Sequence, residues 1–106
     1  MLVEPTEPRE RIVLECTRVC DRLRTLNSSR LATIADDTHD IAQRILLLDL
    51  RLEGRPVRDL PRLGDEVLEA QLRVVVADLL AVAGPNDDAV LAEAADALTD
   101  LRKSLP

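Results

Sequence analysis

A short polar run near the middle of the chain holds the residues best suited to chemistry. Residues 36–40 read Asp-Asp-Thr-His-Asp, and Gln43 follows one helical turn after His39. A neighbouring carboxylate such as Asp40 can hold an imidazole ring and raise its basicity, and the Gln43 amide can position a water or a phosphoryl oxygen. This combination indicates a nucleophilic histidine. The alternative is a solvated acidic helix face that carries a lone surface histidine.

Two cysteines four residues apart, Cys16 and Cys20, form a second candidate. This spacing places both thiols on one side of a helix, where they could bind a soft metal. A tetrahedral site needs two more ligands, and only His39 and carboxylates are available. Both cysteines fall on or beside an apolar helical stripe, where Cys acts as a small hydrophobe. The residues therefore favour packing, with free thiols and no metal cofactor.

A third candidate uses carboxylates from two helices, with Asp37 and Asp40 on one and Glu66 and Glu69 on the other. Oxygen ligands at helical spacing suit Mg²⁺. The pattern resembles that of the all-α nucleotide pyrophosphohydrolases, and the resemblance implies that these four residues bind Mg²⁺. The helical wheel turns Asp40 and Glu66 away from the apolar seams of their helices, so ordinary surface acids are the alternative.

Apolar periodicity predicts the helices that position these candidates. The predicted helices span residues 8–26, 29–53, 65–84 and 87–104. Residues 54–64 hold two Pro and two Gly, and they form a linker between the first and the second pair of helices. We therefore expect an all-α fold in which two antiparallel hairpins form a helical bundle.

The second predicted helix also favours a homodimer. Its apolar positions, from Leu31 to Leu52, repeat at spacings of three and four. Further leucines widen the apolar surface of its last half beyond what one partner helix covers. A chain of 106 residues also buries only about 65% of its unfolded surface, which leaves a thin core. Residues 45–52 are accordingly predicted to pack against a second copy.

Charge and composition limit the classes of partner that this chain could bind. The chain has no Phe, Trp or Tyr and a net charge of -6, which argues against nucleic-acid binding. The first helix and the linker each sum to +2, whereas the third and fourth helices each sum to -3, so charge could decide which helices lie side by side. The longest apolar run, Leu79 to Ala83, is too short for a membrane span, and no secretory signal pattern is present. We expect a cytoplasmic protein.

Residues 34–46, which read IADDTHDIAQRIL, resemble the phosphoacceptor box of sensor histidine kinases. The box lies in the dimerisation and histidine-phosphotransfer domain of that family. The resemblance implies that His39 accepts the phosphoryl group, that Asp40 is the acid or base beside it, and that Gln43 serves in phosphatase chemistry. It also implies a dimeric four-helix bundle.

Nothing in the sequence resembles a nucleotide-binding domain, so a stand-alone kinase is not expected. The resemblance then implies a relay, or a module that docks onto a response regulator or a sensor kinase. The alternative is a catalytically silent module for protein interaction or dimerisation.

Overall fold

Four α-helices make up most of the chain in this computed structural model, which describes residues 7–106. The helices are α1 Pro8–Thr25, α2 Ser28–Glu53, α3 Leu68–Val82 and α4 Asp88–Ser104. No strand occurs within these residues. The all-α class and the number of helices are confirmed. Helix α3 starts three residues later than predicted, because Asp65–Val67 form a 3-10 turn.

The ends of α2 are fixed by local chemistry. The side chain of Asn27 accepts a hydrogen bond of 2.9 Å from the backbone N–H of Arg30, which satisfies one of the free donors of the first turn. At the other end Gly54 has a left-handed conformation with φ of 67°, which glycine adopts without a steric penalty. The chain then leaves the helix axis and runs back along α2.

The predicted hairpins are wrong. Helix α1 packs mainly on α4, and α2 packs mainly on α3, with smaller contacts between α1 and α3 and between α2 and α4. Helices α1 and α2, although joined by a tight turn, do not form a packed pair, and neither do α3 and α4. The linker therefore joins two helices that pack together rather than separating two hairpins.

Helices α2 and α3 lie parallel because the linker returns along α2. Arg62 contacts Asp36 of α2 at 3.3 Å and Asp65, just before α3, at 3.1 Å. At the opposite ends Asp49 of α2 and Asp78 of α3 line one cleft. An extended chain advances about 3.3 Å per residue, so residues 54–64 are long enough to retrace most of a helix.

The packing of α1 follows the predicted charge difference. Arg11 contacts Asp96 of α4 at 2.7 Å, and Arg24 contacts Glu69 of α3 at 2.7 Å. Arg9 donates hydrogen bonds to the carbonyls of Leu80 and Ala83, which lack helical partners at the end of α3. The positive helix thus packs on the two negative ones, although each exposed pair contributes only about 0.5 kcal/mol.

One shared apolar core connects the four helices. Its fully buried members include Ile12, Val19, Cys20, Ala42, Ile45, Leu72, Leu79, Ala94, Ala95 and Leu98. Of the apolar residues of α2 that were expected to need a second copy, Ile45, Leu46, Leu48 and Leu50 are 0%, 2%, 7% and 1% exposed within one chain, and Leu52 is half-buried against the same core. The leucine surface of α2 therefore no longer supports dimerisation. Within residues 7–106 no helix is long and apolar enough to cross a bilayer.

Candidate functional site

His39 lies half-buried on α2, beneath the returning linker. Its Nε2 atom is 3.0 Å from the backbone carbonyl oxygen of Leu60. Because a carbonyl oxygen can only accept, Nε2 must carry the proton in this bond. The helical wheel places His39 well off the apolar stripe of its helix and so predicts a solvent-facing ring, whereas the ring is half-buried. The linker has no helical periodicity, so the sequence pattern could not indicate that it covers the ring.

Gln43 binds the same stretch of linker through both ends of its amide. Its Nε2 donates to the carbonyl of Arg58 at 3.1 Å, and its Oε1 accepts from the backbone N–H of Leu60. A second glutamine, Gln71 of α3, donates to the carbonyl of Pro61 at 2.9 Å. These side chains satisfy backbone groups that an irregular segment cannot pair by itself. His39 and Gln43 are therefore brought together as a clamp on the linker.

Asp40 lies apart from this clamp. It is exposed and lines the groove between α2 and α4, with Asp37 and with Asp100 of α4. Thr38, which precedes His39 on α2, is fully buried, and its hydroxyl donates to the carbonyl of Ile34 at 2.8 Å. Of the three residues predicted for phosphotransfer, two thus contact the linker and the third faces a groove.

The four carboxylates considered for Mg²⁺ lie in different surroundings. Asp37 and Asp40 line the groove between α2 and α4, Glu66 is exposed in the 3-10 turn before α3, and Glu69 contacts Arg24 and Arg73. Partial burial acts to raise the pKa of Glu69, but the hydrogen bonds from these two arginines outweigh it and hold the pKa below its usual value. In the part of the chain described, no group of three or more His, Cys, Asp or Glu is arranged to hold a metal ion.

Cys16 and Cys20 are free, buried thiols on the core side of α1, with their Sγ atoms 3.9 Å apart. The hydrogen bond between them lowers the pKa of Cys16 and, together with burial, raises that of Cys20. Cys16 is 7% exposed and Cys20 is fully buried. Both residues belong to the shared apolar core, as the packing interpretation predicted.

Replacing both cysteines by alanine is expected to lower the free energy of unfolding by about 2 kcal/mol, because each change removes one buried sulfur atom. Denaturant unfolding of the reduced protein measures this loss. The metal content of the purified protein, determined by mass spectrometry, should be the same before and after the change. Stoichiometric zinc or copper that disappears in the double variant would contradict the packing interpretation.

The structure also reveals a buried acid that our sequence analysis did not single out. Asp49 is 5% exposed, and its Oδ1 atom has no hydrogen-bond partner among the described residues. Burial raises the pKa of its carboxyl, and repulsion from Glu53 and Asp78 adds to the rise, while Arg55 and Arg58 oppose it. A signal was present in the sequence, since this aspartate interrupts an otherwise apolar run of α2.

Asp49→Asn is expected to stabilise the protein by about 1 kcal/mol at pH 7, since it removes an unpaired buried charge. The folded-state pKa of Asp49 is raised, so its contribution to stability is present below its unfolded pKa and is lost as the pH rises through the folded value. The gain should therefore shrink between pH 7 and pH 3. Thermal unfolding of both proteins across this range tests the prediction, and a variant that is less stable at pH 7 would contradict it.

Comparisons of the chain with protein-family models, with curated proteins and with solved structures gave no match. The functional argument therefore depends on the residues and contacts described above.

Proposed function

We propose that this chain is a catalytically silent helical module for protein interaction, in which His39 and Gln43 hold the linker in place. The proposal is based on the observation that both side chains form hydrogen bonds with the same short segment of linker backbone. The ring of His39 binds the carbonyl of Leu60, and the amide of Gln43 binds Arg58 and Leu60 at once. These hydrogen bonds to the linker backbone support a structural role for His39 and Gln43.

The requirements of phosphotransfer help to decide between the hypotheses. A histidine that attacks phosphorus needs a ring nitrogen with a free lone pair and room for the phosphoryl group. In His39 the Nε2 atom carries the proton of the Leu60 hydrogen bond, so attack from Nε2 would first require the linker to lift away. Gln43, which would position the water for phosphatase chemistry, would have to release the linker too. The hydrogen bonds that would have to break before phosphotransfer therefore favour the silent module.

The phosphorelay stays as the second candidate, and one observation favours it. His39 is only half-buried, and Asp40, which follows it on α2, is exposed to solvent. In this candidate His39 accepts the phosphoryl group, Asp40 assists proton transfer, and Gln43 serves in hydrolysis. A response regulator or a sensor kinase would be the partner. The free thiols Cys16 and Cys20 fit the reducing cytoplasm in either case.

Phosphodonor labelling separates the two candidates. The protein is incubated with phosphoramidate, with acetyl phosphate and with phosphorylated response regulators, and acid-labile phosphate is measured. We expect no label above that of a His39→Ala control, since the ring is engaged by the linker. Label that is present in the wild type and absent from the His39→Ala variant would establish the relay and overturn the silent module.

A further inference from the structure

Two adjoining cavities form a groove along α2, and residues of α4 contribute to the lining of both. The cavities have volumes of about 380 and 470 Å³, and Arg44 lines both of them. The groove extends along α2 from Asp37 to Arg51, which corresponds to about 21 Å at 1.5 Å per residue, and it continues to Gly54, Arg55 and Val57 of the linker. Neither His39 nor Gln43, the residues of the linker clamp, lines this groove.

The two halves of this groove carry opposite charge. The half toward the start of α2 presents three carboxylates, those of Asp37, Asp40 and Asp100, and one guanidinium group, that of Arg44. Within residues 7–106 these carboxylates form no ion pair. They are therefore available to the guanidinium groups of a partner.

The half toward the end of α2 has the reverse composition. It presents three guanidinium groups, those of Arg44, Arg51 and Arg55, and one carboxylate, that of Glu93. Arg51 lies 3.8 Å from Glu93, so this exposed pair holds the guanidinium only loosely. The same half contains apolar surface, since Leu47 is half-buried and Val57 is 77% exposed.

We infer that a second copy of this chain docks in this groove, with the two α2 helices antiparallel and related by a two-fold axis near its middle. The inference deepens the proposed function, because it names the partner of the interaction module. A two-fold interface requires that a surface complement itself, so that residue i meets residue j and residue j meets residue i. A groove that is acidic at one end and basic at the other meets this condition when the helices are antiparallel.

The spacing along α2 indicates the pairs that such a dimer forms. Asp37, Arg44 and Arg51 repeat at seven residues, and Asp40 and Leu47 fall between them, so all five share one helical stripe. With the axis between Arg44 and Leu47, Asp40 of each copy lies opposite Arg51 of the other. A parallel arrangement would place like charges together, which costs free energy. The antiparallel arrangement also covers the apolar part of each basic half.

Single charge reversals test the interface. Wild-type protein is expected to sediment with twice the 11.7 kDa chain mass, and its dissociation constant should increase from 50 to 500 mM salt. Asp40→Arg and Arg51→Glu should each weaken the dimer at least tenfold, because symmetry places two repulsive contacts in each homodimer. An equimolar mixture of the two variants should regain the dimer, since every reversed charge then meets an opposite one.

Matched controls are Asp59→Arg and Arg30→Glu, which make the same charge changes at exposed positions outside the groove. Both should dimerise as the wild type does, and circular dichroism should show that all four variants are folded. A wild type that stays monomeric at hundreds of micromolar, or folded single variants whose mixture stays monomeric, would overturn the inference. The phosphodonor result does not depend on these outcomes, so the proposed function and the docking surface can fail separately.

Discussion

Arg102→Leu is expected to lower the free energy of unfolding by about 3 kcal/mol. Arg102 of α4 forms a hydrogen-bonded ion pair with Glu15 of α1, which is only 6% exposed. Removal of the guanidinium leaves a buried carboxylate whose other ion pair among the described residues is the 3.5 Å contact with Arg18. A buried charge that loses its principal partner keeps its desolvation cost and loses the attraction that offset it.

The double variant Glu15→Leu with Arg102→Leu is the control for this prediction. It removes the carboxylate as well as the guanidinium, so no buried charge is left, and most of the lost stability should return. Denaturant unfolding of the wild type, the two single variants and the double variant gives the coupling free energy. If Arg102→Leu alone unfolds at the wild-type midpoint, the pair makes no contribution to the packing of α1 on α4.

The same pair shows where helical periodicity fails. The helical wheel assigns Glu15 to the outer face of α1, together with Arg11 and Arg18, because these positions lie off the apolar stripe. Helix α4 lies against that flank of α1, and Glu15 becomes buried when Arg102 covers it. Periodicity locates the apolar centre of a helix face, but the width of the buried face depends on how many helices pack there.

The pairing of the helices shows a similar limit of local pattern. Short connections at residues 27–29 and 84–87 suggested hairpins, and a linker rich in Pro and Gly suggested a boundary between them. Such signals give the ends of helices, and those were predicted closely. They do not say which helices share a surface. Helix charge contained part of that information, since the positive α1 packs on the negative α3 and α4, but charge does not account for the packing of α2 on α3.

The sequence predicted that His39 and Gln43 lie close together, but it did not predict what surrounds them. The sequence pattern placed His39 and Gln43 one turn apart on the same helix, which the structure confirms. It could not place Leu60 against them, because residues 54–64 have no repeating pattern from which a path could be derived. The chemical interpretation of the two side chains depends on that path, since the linker binds the Nε2 atom of His39 and both polar atoms of the Gln43 amide.

The second large effect that we expect is a weaker attachment of the linker to α2 when Gln43 is replaced. Gln43→Ala removes two hydrogen bonds to the linker and leaves the Arg58 carbonyl and the Leu60 N–H without these partners. At about 1 kcal/mol for each bond, the clamp should weaken by about 2 kcal/mol, and by about 3 kcal/mol when His39→Ala is added. Local opening of the linker should increase accordingly.

Trypsin measures this opening directly, because Arg58 and Arg62 lie in the clamped segment and neither precedes a proline. When opening and closing are fast relative to cleavage, the rate follows the open population, and 2 kcal/mol corresponds to about 30-fold. Gln43→Ala should therefore be cut in the linker about 30 times faster than the wild type. Arg30→Ala, at an exposed position of α2 outside the groove and without a hydrogen bond to the linker, should be cut there at the wild-type rate.

His39→Ala then separates a structural from a chemical role for the histidine. As a clamp residue, His39 contributes one hydrogen bond to Leu60, so its loss should speed linker cleavage several-fold and lower stability by about 1 kcal/mol. As a phosphoacceptor that is free to react, the ring would add nothing to the linker, and both quantities would stay at their wild-type values. Faster cleavage of His39→Ala, together with the absence of acid-labile phosphate on the wild type, is the combination that the silent module requires.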